Sequence, residues 1–295
     1  MTIYEITIIT TTGYPYFTKL IKEIPEGVRV YLRFFDFSYD REDEEQIEME
    51  SMFELTAGLI SALFEFSRAI NKKIFMLEFQ SKKEEREKQN INGRDAEGNI
   101  ISETLITCSS ETYLIHKSIR EKIKLIYNTL IVPKIPLMTG DPLLTPEVDR
   151  IVEILDDVKA RNNFLIFKED IKEISKELLE EMNDYGLEAI CISSFDLSPI
   201  ETHGNKYSLS DLEEILRNLP QISEIPPFEW IYRQSIYEGK EIWVYIGNSG
   251  VGITEEHLGE KLFEPYYYLL ISKFESYLGE FPAKLTQKFN EIFSK

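Results

Sequence analysis

The chain has 295 residues, of which 43% are hydrophobic and 12% aromatic, and its formal net charge is −19 at pH 7. This length and composition predict a folded globular protein of about two domains rather than a disordered chain. The acidic balance argues against a nucleic-acid-binding surface, because phosphate contacts need lysine and arginine, and it also disfavours docking on anionic lipid.

The cysteines and histidines show no metal-binding or disulfide pattern. Cys108 and Cys191 each lie in an apolar run, which predicts buried thiols in a reducing compartment. The three histidines stand far apart, so no metal site is predicted. No apolar run approaches the ~18 residues that a membrane span needs, and the N-terminus lacks the basic start of a signal peptide. We therefore expect a cytoplasmic protein without membrane insertion.

The first third of the chain begins with strand patterns. Residues Ile3–Lys19 form a β-branched run interrupted by a Gly-Tyr-Pro turn, which is typical of a hairpin, and Val28–Phe37 is a second strand pattern. The segment Asp36–Glu50 carries eight acids against one arginine. A solvated loop is the main interpretation of such dense like charge, and a surface for a basic partner is the alternative.

The clearest helix is predicted over Ser51–Asn71, where Ser51 and Glu54 form a capping box. Its apolar arc is wider than one sheet face usually covers. Packing against another helix of the same chain is one explanation, and a dimer or partner surface is the other. The candidate partner interface is the outer apolar stripe of this helix, formed by Phe53, Ala57, Ile60 and Phe64.

The remaining elements alternate between strands and helices. A strand at Lys73–Gln80 and an answering strand at Asn99–Ser109 flank a charged loop, and the helix Tyr113–Ile131 follows, with His116 in a surface or capping role. The later predictions are helices at Pro146–Asn163 and Lys168–Gly186, strands over Leu187–Glu201, a helix at Ser208–Asn218, a hairpin around Glu238-Gly239 and a last helix at Phe281–Phe293.

Two pairs of segments match at fixed offsets and suggest an internal repeat. Ile6, Ile8 and Pro15 have the same spacing as Ile190, Ile192 and Pro199, while Leu105–Leu114 matches Leu269–Leu278 at an offset of 164 positions. The matches predict two duplicated units, each built as hairpin, helix, strands and final helix. The alternative is that unrelated α/β units converge on similar strand–helix turns.

The N-terminal half resembles a known family. Its hairpin with a Gly-Tyr-Pro turn, the following strand, the helix FELTAGLISALFEFSRAI, and the later strands and final helix look like a longin domain, with roadblock modules as near neighbours. The resemblance implies an α/β (α+β) fold of two longin-like domains, each a mainly antiparallel sheet flanked by helices. The implied domains are a longin-like domain at 1–132, a linker at 133–145, connecting helices at 146–186 and a second longin- or roadblock-like domain at 187–295.

The same resemblance implies a non-enzymatic interaction scaffold without catalytic residues or cofactor. Such modules pair as homo- or heterodimers in vesicle trafficking or signalling complexes. The expected partners are a small GTPase, another longin or roadblock protein, or both. A structural subunit with no GTPase partner is an alternative. The helices at 146–183 depart from a minimal longin pattern, which leaves the pairing of the two domains open.

A competing resemblance concerns the glycine-rich stretch Gly247–Pro265. Asn248-Ser249-Gly250-Val251-Gly252-Ile253 followed by Phe263-Glu264-Pro265-Tyr266 is similar to the ATP-binding domain of histidine kinases, and Asn218 stands where that family has a metal-binding asparagine. However, Asn248 replaces the aspartate that binds adenine, and no second glycine box follows to line a phosphate. A diverged nucleotide binder stays open, but the glycines favour a strand turn within a hairpin, with Glu255 and Glu256 starting the turn.

No other group of residues in the sequence predicts catalysis. Asp196, Glu201 and His203 lie close together along a hairpin, but their spacing places them on alternating faces and no nucleophile accompanies them. Trp230 and Trp243 flank the Glu238-Gly239 turn and are interpreted as cross-strand packing. The sequence therefore favours protein–protein contact over chemistry.

Overall fold

A computed structural model describes residues 2–10, 15–37, 104–137 and 142–294, together with positions 58, 61–63, 65 and 68. The chain divides into two compact units, Met1–Ser38 with Asn99–Lys295 and Tyr39–Gly98. In the second unit, the described positions are helical, in agreement with the predicted helix there. All four residues of the candidate interface, Phe53, Ala57, Ile60 and Phe64, lie outside the described residues, as does the predicted strand Lys73–Gln80.

The first unit contains nine labelled strands and five labelled α-helices in its described part. The strands are β1 Ile3–Thr10, β2 Pro15–Leu20, β3 Val30–Asp36, β4 Thr104–Glu111, β5 Leu187–Ser193, β6 Pro199–His203, β7 Trp230–Tyr237, β8 Lys240–His257 and β9 Glu260–Lys273. The helices are α1 His116–Ile126, α2 Thr145–Leu155, α3 Val158–Met182, α4 Leu209–Arg217 and α5 Phe281–Phe293.

The strands form two antiparallel sheets, so the expected mixed α/β class is confirmed. One sheet has four strands in the order β2-β1-β4-β3, and the other has five in the order β6-β5-β9-β8-β7. The predicted hairpins are present at β1–β2, β5–β6 and β7–β8. Both long edges of β4 are occupied, by β1 and β3. The strand predicted at Asn99–Ser109 is present as β4 from Thr104, while its predicted partner Lys73–Gln80 lies outside the described residues.

The two sheets share one pairing pattern. In each, the first hairpin carries a β-bulge at the same place, between Ile8 and Ile9 in one sheet and between Ile192 and Ser193 in the other. The pairing of β1 with β4 also matches the pairing of β5 with β9, and each has an irregularity at its start. The equivalent pairs are Ile3↔Ser110 with Leu187↔Ser272, Glu5↔Ser109 with Ala189↔Ile271, and Ile6↔Cys108 with Ile190↔Leu270. The sequence repeat is therefore a structural repeat.

The predicted alignment of the second pair of segments was wrong by two residues. Leu105 lies opposite Ile9, and the equivalent pair in the five-stranded sheet is Tyr267 opposite Ser193. Tyr267, not Leu269, is thus the counterpart of Leu105. The loop between β9 and α5 is longer than the loop between β4 and α1. Matching the loop residues in the sequence therefore displaced the strands, although a shift of two keeps every side chain on its face.

Each sheet packs the helix that follows it against the same face. On the four-stranded sheet the His116 ring of α1 stacks on Phe35, with ring centroids 5.6 Å apart. On the five-stranded sheet, α5 and α3 cover the face that carries Ile190, Tyr268 and Leu270. This face, which we call face A, holds a hydrophobic core to which both helices contribute. The described helices include none that is long and apolar enough to cross a membrane.

Two predicted helix boundaries required correction. The helix predicted over Tyr113–Ile131 is α-helical only through α1 and continues as a π-helical turn over Tyr127–Ile131. The helices predicted at 146–163 and 168–186 are separated instead at Asp157, whose backbone is left-handed with φ 54°. The apolar run at 164–167 does not break the second helix, because Phe164 is buried in the core and holds it against the sheet.

Candidate functional site

The glycine-rich stretch lies within β8 and its neighbours fill the space that each glycine leaves. A Cβ added to Gly247 would lie 2.3 Å from the Trp230 ring, and one added to Gly250 would lie 2.4 Å from the Phe228 ring. At Gly252 it would lie 1.9 Å from the backbone oxygen of Glu264 on β9. Only glycine fits at these positions, because rings and backbone approach the strand this closely.

The polar groups of the same stretch bond to one another. The Gly250 N–H donates to Asn248 Oδ1 over 3.0 Å, and the Val251 N–H donates to Ser249 Oγ over 3.1 Å. Asn248 Nδ2 donates to the Ile225 carbonyl over 2.8 Å. A phosphate cradle needs such backbone donors to point outward. The stretch is a bulged strand, and these donors and the asparagine side chain serve its own fold.

The hairpin prediction for this region is confirmed, but its turn lies elsewhere. β8 runs through Glu255 and Glu256, and the chain reverses at Leu258 and Gly259, whose φ angles are 49° and 87°. The pairing pattern shifts between Asn248 and Gly252, so the glycines form a bulge rather than the turn. Asn218, the sequence's metal candidate, donates Nδ2 to the Ile236 carbonyl over 2.9 Å.

The three residues weighed for catalysis separate into different environments. Asp196 binds Lys122, Glu201 pairs with Lys168 across 2.8 Å, and His203 is buried with Nε2 lacking a hydrogen-bond partner within the described chain. Burial lowers the pKa of His203. No cluster of three or more side chains suited to a metal ion occurs in the described residues. The hairpin does not bring the three residues together as a unit.

A buried charge cluster joins the first repeat to the second. Lys122 of α1 lies 2.6 Å from an oxygen of Asp157, at the α2–α3 break, and 2.6 Å from an oxygen of Asp196, in the β5–β6 turn. All three side chains are fully buried. Asp196 also accepts from Ser194 Oγ and the Ser198 N–H, each over 2.8 Å. Sequence reasoning missed Lys122, since its only signal was one lysine within the apolar pattern of a helix.

Electrostatics in this cluster favour a charged Lys122. Burial alone would lower the pKa of Lys122, but Asp157 and Asp196 raise it overall. Burial opposes ionisation of Asp196, yet Lys122 and Ser198 lower its pKa to about 2. For Asp157, burial and the charge of Asp196 raise the pKa to about 6. The Lys122–Asp196 pair is the ionised centre, and Asp157 titrates beside it.

Glu264 of β9 is a further buried acid near this cluster. It is 3% exposed, and no described residue donates a hydrogen bond to its carboxyl group. Burial and then the charge of Asp157 raise the pKa of Glu264 to about 9. The neighbouring Glu255 is instead paired with Arg150. The β8–β9 ribbon therefore places one neutral and one ion-paired glutamate against α2 and α3.

A second buried network joins the repeats at Glu111. Arg217 of α4 donates to both Glu111 oxygens, from Nε over 2.9 Å and from a terminal nitrogen over 2.7 Å. The Tyr4 hydroxyl donates to the same carboxylate. Hydrogen bonding to Glu111 raises the pKa of Arg217. Glu111 and Tyr4 belong to the first repeat and Arg217 to the second, so this contact fixes one sheet to the other.

The five-stranded sheet also exposes aromatic side chains. We use the name aromatic face for Tyr232, Ile236, Trp243 and Phe274. Tyr232 and Phe274 are 56% and 38% exposed. Trp243 stacks on Phe274 with ring centroids 5.7 Å apart and meets the edge of Tyr232 at 4.9 Å. The predicted cross-strand packing of Trp243 is confirmed by Tyr232, and that of Trp230 by its pairing with Gly247.

The strand register places the aromatic face on face A. Tyr232 lies opposite Tyr245, Tyr245 lies opposite Leu270, and opposite residues of an antiparallel pair share a face. Trp243 is two positions from Tyr245 and therefore points the same way. Helix α5 covers Trp230, whose Nε1 donates to Thr286 Oγ1 over 3.1 Å. The aromatic face is the adjoining part of face A, where Tyr232, Ile236 and Phe274 are exposed and Trp243 is half-buried.

Side chains donate hydrogen bonds to carbonyl groups along the outer edge of β7. The Ile236 carbonyl accepts from Asn218, and the Tyr232 carbonyl accepts from Arg233 over 2.8 Å. Occupied carbonyls disfavour pairing with a further strand along this edge. A partner at this end of the sheet is therefore expected to contact side chains of the aromatic face rather than to extend the sheet.

No protein-family model matches the chain, and no curated protein sequence matches it.

Proposed function

We propose that this protein is a non-enzymatic interaction scaffold that binds a small GTPase, as the longin resemblance of residues 1–132 implies. The proposal treats both repeats as recognition modules built on antiparallel sheets with flanking helices. The partner class comes from the resemblance. The aromatic face is the observation that supports contact with another protein.

Two physical features favour the aromatic face as a contact surface. Exposed large apolar side chains in a contiguous group are typical of interaction sites, and tyrosine, tryptophan and phenylalanine are enriched in the buried centre of interfaces. The rings also contact one another, at Trp243–Phe274 and Trp243–Tyr232. A preassembled surface loses less side-chain entropy on binding than isolated exposed rings would.

The buried contacts between the repeats support the role of a rigid platform. Lys122 with Asp196, and Arg217 with Glu111, each connect one repeat to the other by a buried ion pair. Breaking such a pair is costly, because a charge is left uncompensated inside the protein. The two sheets are therefore expected to engage partners as one body.

A pull-down with purified small GTPases in both nucleotide states tests the proposal. We expect the full chain to retain at least one GTPase, and we expect Tyr232→Ala with Phe274→Ala to lower that retention. Tyr185→Ala is a suitable control, since Tyr185 is exposed outside the aromatic face. Retention of no GTPase in either state would contradict the proposal and would favour a structural subunit without a GTPase partner.

The nucleotide-binding alternative has its own test. Because Gly250 and Val251 direct their N–H groups to Asn248 and Ser249, we expect no saturable binding of a fluorescent ATP analogue with Mg²⁺. Saturable binding that Gly250→Val abolishes, with the fold retained by circular dichroism, would restore the alternative.

A further inference from the structure

We infer that the aromatic face binds a basic segment of a partner protein, with a lysine or arginine side chain against its rings and the cation paired with Glu241. This inference rests on the proposed function and names the chemistry of the partner. It depends on which charges the sheet register places on face A.

An acidic side chain borders the rings on the same face. Glu241 is two positions from Trp243 along β8, so both side chains project from face A. It is exposed, and one of its carboxylate oxygens accepts from Gln234 Nε2 over 2.9 Å. Gln234 lies opposite Trp243 on β7. The hydrogen bond holds the carboxylate beside the aromatic face.

The basic residues of the same strands project from the other face. Arg233 lies opposite Val244, Lys240 opposite Tyr237, and Lys273 opposite Ile242. Each of these positions alternates with a residue of face A. Within the described part of the chain, the cations that lie over aromatic rings are Arg33, Lys122 and Lys206, and none of them is over Tyr232, Trp243 or Phe274. Tyr232, Phe274 and Glu241 are exposed and have no cationic partner among the described residues.

Charge complementarity selects the occupant. Aromatic rings attract cations through the negative potential of their faces, and a neighbouring carboxylate adds a direct ion pair. The net charge of −19 further favours encounter with a basic partner and disfavours a second copy of this chain. A hydrophobic peptide would use the rings but leave Glu241 with Gln234 alone and without a cationic partner. A basic peptide uses both.

Fluorescence polarisation with a labelled peptide of alternating arginine and glycine tests the inference on the full chain. We expect saturable binding that weakens as salt is added. Glu241→Gln and Tyr232→Ala are each expected to weaken it about tenfold, the size of one cation–π or charge-assisted contact. Glu260→Gln removes the same charge at the β8–β9 turn and is expected to leave binding unchanged.

A control peptide with citrulline in place of arginine keeps the side-chain shape but removes the positive charge, and we expect it not to bind. The inference is overturned if the arginine peptide fails to bind or if the citrulline peptide binds equally well. It is also overturned if Glu260→Gln weakens binding as much as Glu241→Gln, because that result would indicate general attraction to an acidic protein. These results leave the GTPase pull-down unaffected. Conversely, a pull-down that retains no GTPase together with specific peptide binding would remove the proposed partner and keep the basic-segment site.

Discussion

The four-stranded and five-stranded sheets have the same strand order over four strands and bulges at the same positions, yet equivalent side chains differ in chemistry. Arg33 of β3 and Tyr245 of β8 are equivalent, because they pair with the equivalent residues Cys108 and Leu270. Arg33 donates to the Leu114 carbonyl over 2.9 Å, and the Tyr245 hydroxyl donates to the Ser276 carbonyl over 2.9 Å. Both tie the loop before the following helix to the sheet.

This difference teaches that the backbone requirement is shared and the side chain that meets it is free to vary. A loop carbonyl near a sheet needs a donor, and a guanidinium or a phenol supplies one. Compared with the described part of the four-stranded sheet, the five-stranded sheet has two additions, the outer strand β7 and the extended β8–β9 ribbon. Tyr232 and Ile236 of the aromatic face lie on the first addition and Glu264 on the second. Trp243 and Phe274 instead lie on or next to strands that have counterparts in the first repeat. The second repeat therefore adds side chains from β7 to positions that the two repeats share.

The largest expected effect comes from breaking the contact between the repeats at Lys122. Lys122→Met leaves Asp157 and Asp196 buried without their cation, and we expect the free energy of unfolding to fall by about 3–5 kcal/mol. Chemical denaturation followed by circular dichroism measures it. Lys117→Met on the same helix removes an exposed pair with Glu224, and we expect a loss of about 0–1 kcal/mol. Equal losses in the two variants would mean that the buried cluster does not hold the repeats together.

The next effect compares equivalent positions directly. Glu111 of β4 and Lys273 of β9 pair with the equivalent residues Val30 and Ile242, but Glu111 is fully buried and Lys273 is exposed. Glu111→Gln removes the buried carboxylate that accepts from Arg217 and leaves it only Glu213 as a charged acceptor, and we expect a loss of about 2–3 kcal/mol. Lys273→Gln is expected to change stability by less than about 0.5 kcal/mol. Denaturant midpoints at constant slope give both values, and similar losses would contradict the asymmetry between the sheets.

The extended ribbon makes a pH-dependent contribution through Glu264. The pKa of Glu264 in the folded protein is raised to about 9. Between the ordinary pKa of glutamate and pH 9, the folded state therefore keeps a proton that the unfolded state has released. Stability is therefore expected to fall as pH rises from the ordinary pKa of glutamate toward about 9, by up to about 1.4 kcal/mol per pH unit from this group. Glu264→Gln removes this contribution to the slope. We therefore expect the variant to gain stability, relative to the unaltered chain, more at pH 8 than at pH 5.

Thermal or denaturant unfolding across pH 5–9 measures the slope for both proteins. Glu256→Gln is the control, since Glu256 is exposed on the same ribbon and pairs with Lys261 across 3.3 Å. The prediction is contradicted if Glu264→Gln and the unaltered chain show the same pH dependence.

Sequence patterns identified most of the fold where the pattern is local. The hairpin turn at Glu238-Gly239, the helix beginning near Ser208 and the strand beginning at Leu187 each depend on a few neighbouring residues, as does the first half of the repeat. Contacts between distant segments could not be predicted from the sequence. Lys122 meets Asp157 and Asp196 only after three separate segments converge, and a single lysine in an apolar helix carries no trace of those partners.

The aromatic face was only partly predictable for the same reason. Cross-strand packing of Trp243 followed from its place beside a hairpin turn. The exposure of Tyr232, Ile236 and Phe274 did not follow, because exposure depends on which elements cover the sheet rather than on the strand sequence. The break at Asp157 was missed because a left-handed aspartate gives no sequence signal comparable to glycine.

The smallest expected effect concerns Tyr245, whose phenol takes the place of the Arg33 guanidinium of the first repeat. Tyr245→Phe removes one hydrogen bond to the Ser276 carbonyl and leaves the ring packed, so we expect a loss of about 1 kcal/mol by denaturant unfolding. Tyr277→Phe, on an 85% exposed side chain in the same loop, is expected to be neutral. Hydrogen exchange of the loop amides sharpens the comparison, because loss of the anchor should speed exchange between β9 and α5 and leave the loop before α1 unchanged. Faster exchange in both loops would mean that the two anchors act through a shared opening of the repeats, not each on its own loop.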